Sequence, residues 1–120
     1  MRRWLALALV LFACHDTHER AAREAALKHD LVEMRKAIAD FRADKKRGPH
    51  SLEELKAAKV LRDVPKDPMT QQPDWRVTTE AAVHNDDFAT TAAPAAEPEV
   101  IDVHSRAAGR DGSGKLYSDY

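Results

Sequence analysis

Large apolar residues recur at helical spacing in the first half of the chain. Five of them share one face of a predicted helix: Leu27, Leu31, Met34, Ile38 and Phe41. Their spacing alternates between four and three residues, and charged residues fill the positions between them. No Gly or Pro interrupts the stretch from Thr17 to Lys46. The pattern predicts one long helix over 17–46 with its apolar stripe facing a core.

A second, shorter helix is predicted just after the Gly48-Pro49 stop. Ser51 is followed three residues later by Glu54, which is the arrangement of a capping box. The helix should run from there to about Lys59, with its two leucines facing inward. Three prolines then fall between residues 65 and 73 and exclude regular structure there.

The second half of the chain predicts strands rather than helices. Residues 75–79 have strand chemistry, with Trp75 and Val77 on one face, and residues 100–104 form the second clear strand. Residues 116–120 are predicted to close the sheet as a third short strand. The Ala-, Thr- and Pro-rich stretch 85–99 is predicted to be a mobile loop. The expected fold class is therefore α+β, a long N-terminal helix packed on a small antiparallel sheet with Trp75 anchoring the core.

Composition narrows the class of protein further. Of the 120 residues 43% are hydrophobic, but 21 are alanines, so the core must be thin. A large enzyme with a deep, dry pocket is excluded on this ground. A net charge of −1 argues against a nucleic-acid binder, which usually has a basic domain. The single cysteine allows no intramolecular disulfide.

The first fourteen residues have the layout of a secretory signal. Met1-Arg2-Arg3 is basic, residues 4–13 are an unbroken apolar run, and Cys14 follows. The segment Leu11-Phe12-Ala13-Cys14 resembles a bacterial lipobox, which implies that Cys14 is lipidated and that residues 1–13 are a signal peptide. Residues 14–26 would then be a tether at the start of the long helix. An ordinary signal or anchor, with Cys14 as a plain apolar residue, is the alternative.

The body of the chain has the order of parts of a known bacterial family. The stretches that carry the resemblance are SLEEL, LRDVPKDPMT, DWRV and VIDVHSRAAGRDGSGKLYSDY. They resemble the globular part of type II secretion pseudopilins, especially the major, G-type pseudopilin. The resemblance implies a pilin-like domain over residues 27–120. The chain departs from that family at its start, where a run of only ten apolar residues replaces about twenty.

The resemblance also implies a candidate calcium site in the C-terminal loop. G-type pseudopilins bind calcium there through carboxylate and carbonyl oxygens, and the matching positions in this chain are Ser105, Asp111 and Asp119. Calcium prefers six to eight oxygen ligands. Three basic residues share the loop, so a glycine-rich turn held by Tyr117 and backbone hydrogen bonds is the alternative.

The sequence gives only weak signals for any other metal-binding or catalytic site. His15 and His18 are spaced to share a helix face but have no third ligand, and His29, His50, His84 and His104 are scattered. No nucleophile elbow, phosphate loop or zinc-protease motif occurs.

Two further groups of residues each have two interpretations. Lys45-Lys46-Arg47 complements the helix dipole or, alternatively, binds phosphate or lipid. Tyr117 and Tyr120 either cover the sheet edge or form a partner site.

These observations predict a non-enzymatic protein of the bacterial cell envelope. It would be anchored to a membrane through lipidated Cys14 and face the periplasm or the cell exterior. Its partners would be secretion or pilus components, with neither nucleic acid nor a small-molecule substrate, and no cofactor other than possible calcium. Two alternatives are a true pseudopilin subunit with a misassigned start and a small envelope metal-binding protein or enzyme.

Overall fold

The structure, a computed structural model, describes the backbone of residues 2–80 and 97–120 and the side chains of residues 16–80 and 97–120. Its elements are, in chain order, helix α1 (Arg2–Lys45), helix α2 (Leu52–Ala57), strand β1 (Arg76–Glu80), strand β2 (Glu99–His104) and a 3-10 helix (Tyr117–Asp119). The two strands form an antiparallel sheet against which α1 packs. The predicted α+β arrangement of a long helix on a small antiparallel sheet is confirmed.

Helix α1 is longer than the apolar stripe alone predicts. It contains 44 residues and begins at Arg2 rather than Thr17, so at 1.5 Å per residue it is about 66 Å long. Residues 2–13 are rich in Ala and Leu, which are strong helix formers. The helix ends at Lys45, and Lys46 adopts the left-handed conformation, with φ of 60°, that closes many helices.

The core lies between α1, α2 and β2. All five residues of the apolar stripe are buried, and so is Trp75. They form one cluster with apolar side chains from α2, β2 and the C-terminal loop: Leu52, Leu55, Val100, Val103, Ala107 and Tyr117. Ser51 caps α2 as predicted, because its side chain accepts a hydrogen bond from the Glu54 N–H. The core is thus small and centred on the stripe.

A bulge in β2 explains why two valines three residues apart both face the core. The pairing of β1 with β2 is regular except between Thr78 and Thr79, where one residue of β2 has no partner. That residue is Ile101, and it is half-buried. An inserted residue resets the alternation of faces along a strand. Val100 and Val103 are therefore both completely buried.

Of the two residues predicted to share one face of the first strand, Trp75 is buried and Val77 is not. Trp75 lies just before β1, and its indole Nε1 donates to the Pro65 carbonyl at 2.7 Å. Val77 is 39% exposed, as all five residues of β1 are exposed. Helix α1 packs mainly against β2, and the outer strand β1 stays exposed.

The predicted third strand at the C-terminus is also wrong. Residues Tyr117–Asp119 form a 3-10 helix, and Leu116 makes only an isolated bridge with Arg110. The backbone groups are used locally, since Asp119 N–H donates to the Leu116 carbonyl and Tyr120 N–H to the Tyr117 carbonyl. The sheet of the described residues therefore has two strands.

The predicted mobile loop 85–99 falls mostly outside the described residues. Residues 85–96 are not described, and Glu99 belongs to β2. Glu99 also has a fixed position, because its carboxylate accepts the Gly48 N–H at 2.6 Å. A Cβ at Gly48 would come within 2.8 Å of the Glu99 Cβ. This close approach explains the glycine before Pro49.

Candidate functional site

The C-terminal loop is organised around one carboxylate. Asp111 Oδ1 accepts hydrogen bonds from the Ser113 N–H, the Ser113 hydroxyl and the Lys115 N–H at 2.8, 2.7 and 3.0 Å. Its Oδ2 accepts from the hydroxyl of Tyr120. A carboxylate has about four acceptor positions. Asp111 thus accepts three hydrogen bonds at Oδ1 and one at Oδ2, and the Tyr120 and Ser113 hydroxyls in particular hold its pKa well below the usual range.

A second candidate calcium ligand is engaged elsewhere. The Ser105 hydroxyl donates to Asp67 Oδ2 at 2.5 Å and accepts the Ala107 N–H at 3.0 Å. Asp67 is completely buried, and its other oxygen accepts the Met69 N–H at 2.8 Å. This pair joins the proline-rich turn to the start of the C-terminal loop. The Ser105–Asp67 hydrogen bond thus holds two loops together.

The three predicted calcium ligands do not form one cluster of oxygens. Ser105 contacts Asp67, Asp111 contacts Ser113 and Tyr120, and Asp119 is exposed in the 3-10 helix. Within residues 16–80 and 97–120, no group of three or more His, Cys, Asp or Glu side chains is placed to hold a metal ion.

The C-terminal loop is fastened to α1 through a polar contact that we call the helix–loop junction (Arg20, Glu24, Arg110 and Tyr117). The Arg20 Nε donates to the Tyr117 hydroxyl at 3.1 Å, and that hydroxyl donates to Glu24 Oε1 at 2.7 Å. Arg20 also donates to the Arg110 carbonyl. Each of the two α1 residues therefore contacts a residue more than eighty positions later in the chain.

Two cations flank the last aromatic ring. The Lys115 and Lys28 Nζ atoms lie 3.9 and 4.9 Å from the centre of the Tyr120 ring, which are distances for cation–π attraction. The pKa of Tyr120 is raised mainly because its hydroxyl donates to Asp111. The pKa of Tyr117 is raised by burial and then by its hydrogen bond to Glu24. Both phenols are thus held in their neutral form.

A short chain of polar contacts crosses from α1 to the end of β2. Arg35 Nε donates to Asp102 Oδ1 at 2.7 Å, and Asp102 Oδ2 lies 3.3 Å from His104 Nε2. The His104 Nδ1 donates to the Tyr120 backbone oxygen at 2.8 Å. Partial burial raises the pKa of Asp102, but hydrogen bonds from Arg35 and the Val103 N–H outweigh it, so the net shift is downward.

The basic end of α1 borders a shallow depression of about 240 Å³, lined by Arg42, Lys46, Arg47 and Glu99. Most of its charges have partners within the chain. Arg42 lies 3.7 Å from Glu99, Arg47 pairs with Glu54, and Lys46 Nζ donates to the Ala43 carbonyl at 2.8 Å. These contacts favour the helix-capping interpretation of the basic run over a phosphate site.

The remaining sequence candidates lie on exposed or undescribed parts of the chain. His18 and His29 are exposed on α1, and His50 Nδ1 lies 3.3 Å from the Pro98 carbonyl. The side chains of Cys14 and His15, and all of His84, are outside the described residues, although the backbone at Cys14 is helical. The histidines that are described belong to separate parts of the surface.

Sequence reasoning missed the polar residues that hold the C-terminal loop. Arg20 and Glu24 lie in a stretch that composition alone marks as a solvated tether, and Asp67 was only one position in a turn motif. No local pattern predicts a contact with a residue more than eighty positions away. The one available signal was Asp67 itself, an acidic residue between two prolines in a turn-rich stretch.

Comparison with protein-family models, with curated proteins and with solved structures found no match. Among the described residues, no helix is both long and apolar enough to cross a membrane.

Proposed function

We propose that this protein is a non-enzymatic component of the bacterial cell envelope, tethered to a membrane through lipidated Cys14. Its pilin-like domain would act as a protein-binding module of a type II secretion or type IV pilus-like system. The support comes from the lipobox-like leader, the pseudopilin-like motifs of residues 27–120 and the long helix on a small sheet.

The observation that carries the proposal is the continuity of α1. The helix has no break between Cys14 and Leu27, the first residue of the buried stripe. Thirteen residues of helix span about 20 Å. A lipid on Cys14 would therefore hold the domain at a fixed distance from the bilayer, whereas an unstructured tether would let it move freely.

The helix–loop junction supports the same interpretation. Arg20 and Glu24 bind the C-terminal loop from the part of α1 that precedes the apolar stripe. The junction thus extends the rigid body toward Cys14 by about two helical turns. A rigid spacer that presents a fixed surface suits a protein that docks onto a larger assembly.

The proposal is tested by fractionation of the natural host expressing the full chain or the Cys14→Ser variant. We expect the unaltered protein in the membrane fraction, labelled by palmitate, and the variant without label. His18→Gln, a change on the exposed face of the same helix, serves as the control and should behave like the unaltered protein. Equal labelling of both variants, or no labelling of either, would refute lipid tethering.

The unbroken helix also favours the second candidate, a pseudopilin subunit whose true start lies elsewhere. The two candidates differ in where the protein is recovered after filaments are sheared from cells. An accessory protein stays with the membrane as a monomer or small complex. Recovery in the sheared filaments would favour the subunit and refute the accessory role.

A further inference from the structure

The outer edge of β1 is open among the described residues. Strand β1 pairs with β2 along one edge, and no described residue outside β2 makes a hydrogen bond to its backbone. All five of its residues are exposed. The bulge lies in β2, so β1 itself is a regular strand. An open and regular edge is a template for pairing with another strand.

The charges at the two ends of β1 are poorly matched within one chain. Glu80 lies opposite Glu99, and Arg76 lies opposite His104. Glu99 already binds the Gly48 N–H and lies near Arg42. Like charges directly opposite each other destabilise a sheet. Within the described residues, Glu80 has no ion pair, and Arg76 uses only one of its donors, Nη2, on the Ser118 carbonyl at 2.8 Å.

The sequence of β1 is complementary to itself in antiparallel pairing. Arg-Val-Thr-Thr-Glu, paired about its centre, places Arg76 opposite Glu80 of the partner subunit and Val77 opposite Thr79 of the partner subunit. Thr78 lies opposite its own copy. We propose that β1 pairs edge to edge with β1 of a second copy of this chain, about a two-fold axis at Thr78.

This pairing gives the charged residues at the two ends of β1 partners of opposite charge. Each Glu80 gains an arginine opposite it, and the two sheets join into one sheet of four strands, which is more stable than two isolated pairs. A parallel arrangement would instead bring like charges together. Five residue pairs bury less than the ~1,000 Å² expected of a stable interface, so the dimer is weak. The inference is independent of the proposed function.

The first test is charge reversal in the full-length chain, purified in detergent and studied by sedimentation over a range of concentrations. Arg76→Glu and Glu80→Arg should each weaken association about tenfold, because each change puts two like-charged pairs across the axis. The double variant should restore association to the original strength. Association that is absent in the unaltered protein, or that the double variant does not restore, would overturn the proposal.

The second test uses cross-linking in a Cys14→Ser background, in which an introduced cysteine is the only thiol. Residues opposite each other in an antiparallel pair have Cα atoms about 4.5–5.5 Å apart, a separation that a disulfide can span. Thr78→Cys should therefore form a disulfide-linked dimer under mild oxidation. Thr79→Cys is the matched control, because it lies opposite Val77 of the partner subunit, and it should stay monomeric. Equal cross-linking of both, or of neither, would contradict the register.

Discussion

Two consecutive segments of the same helix are attached to the domain by different chemistry. The apolar segment, Leu27–Phe41, buries its large side chains against β2 and α2, whereas the polar segment, Asp16–Ala26, contacts the C-terminal loop through Arg20 and Glu24. Burial of apolar side chains stabilises by about 1.5–3 kcal/mol each, and a typical intramolecular hydrogen bond by about 1 kcal/mol. The apolar segment should therefore determine whether the domain folds, and the polar segment how firmly the loop is held.

The largest effect expected from this contrast is in the apolar segment. Ile38→Ala should lower the free energy of unfolding by about 2–5 kcal/mol, because it leaves a cavity in a core with little apolar surface to spare. Val32→Ala on the opposite face of α1 is the control, since Val32 is 64% exposed, and it should change stability by less than about 0.5 kcal/mol. Urea unfolding measures the free energy of unfolding of both variants. Similar losses for the two variants would contradict the assignment of the core face.

A smaller and more local effect is expected in the polar segment. Tyr117→Phe removes a hydroxyl that accepts from Arg20 and donates to Glu24, and should cost about 0.5–1.5 kcal/mol. Amide hydrogen exchange should speed up in the C-terminal loop and not in α2. Glu24→Gln keeps an acceptor for the hydroxyl and should have a weaker effect. If the loop amides of Tyr117→Phe exchange at the original rate, the junction does not fasten the loop.

The sequence predicted the apolar segment well and the polar segment poorly, for a physical reason. Apolar packing repeats with the period of the helix, so Leu27 to Phe41 could be recognised locally. The contact of Glu24 with Tyr117 depends on how distant segments meet, and it leaves no periodic trace. The bulge at Ile101 is a similar case, because simple alternation would place Val100 and Val103 on opposite faces.

The candidate site was predictable only in part. The residues that organise the C-terminal loop, Asp111 and Tyr117, could be found from the resemblance to pseudopilins. Their roles could not, since an aspartate in a glycine-rich loop suits a calcium ligand as well as an internal hydrogen-bond acceptor. The structure shows four donors around Asp111, which no sequence pattern predicts.

The pH dependence of stability should distinguish the C-terminal loop from the apolar stripe of α1, because the five side chains of the stripe carry no ionisable group. The pKa of Asp111 is lowered on folding, so its contribution is present above the unfolded value of about 3.9 and is lost as pH falls below it. The pKa of Tyr117 is raised, so its contribution is present below about pH 10 and is lost as pH rises above it.

Thermal unfolding at a series of pH values measures these two limits. Asp111→Asn should reduce the loss of stability at acid pH, and it should also reduce the loss at alkaline pH, because Asp111 raises the pKa of Tyr120. Tyr117→Phe should reduce only the loss at alkaline pH. The Ile38→Ala variant should lower the whole curve without changing its shape. A change of shape in Ile38→Ala, or none in Asp111→Asn, would show that the loop and the core are not separable in this way.

The smallest effect is expected from calcium. A site occupied at a hundred times its dissociation constant adds about 2.7 kcal/mol, which would raise the melting temperature of a domain this size by more than about 10 °C. Because the predicted calcium ligands do not lie together and Asp111 already accepts four hydrogen bonds, we expect no rise in melting temperature on adding calcium and no fall on adding a chelator. A rise that Asp111→Ala abolishes would show that the ion displaces those donors.

Mass spectrometry of the mature protein from its host membrane tests the central claim, that a rigid helix joins a lipid anchor to the domain, most directly. The account predicts that the first residue is Cys14, with a diacylglycerol thioether on its sulfur. An intact N-terminus at Met1, or cleavage at another position with Cys14 unmodified, would contradict it.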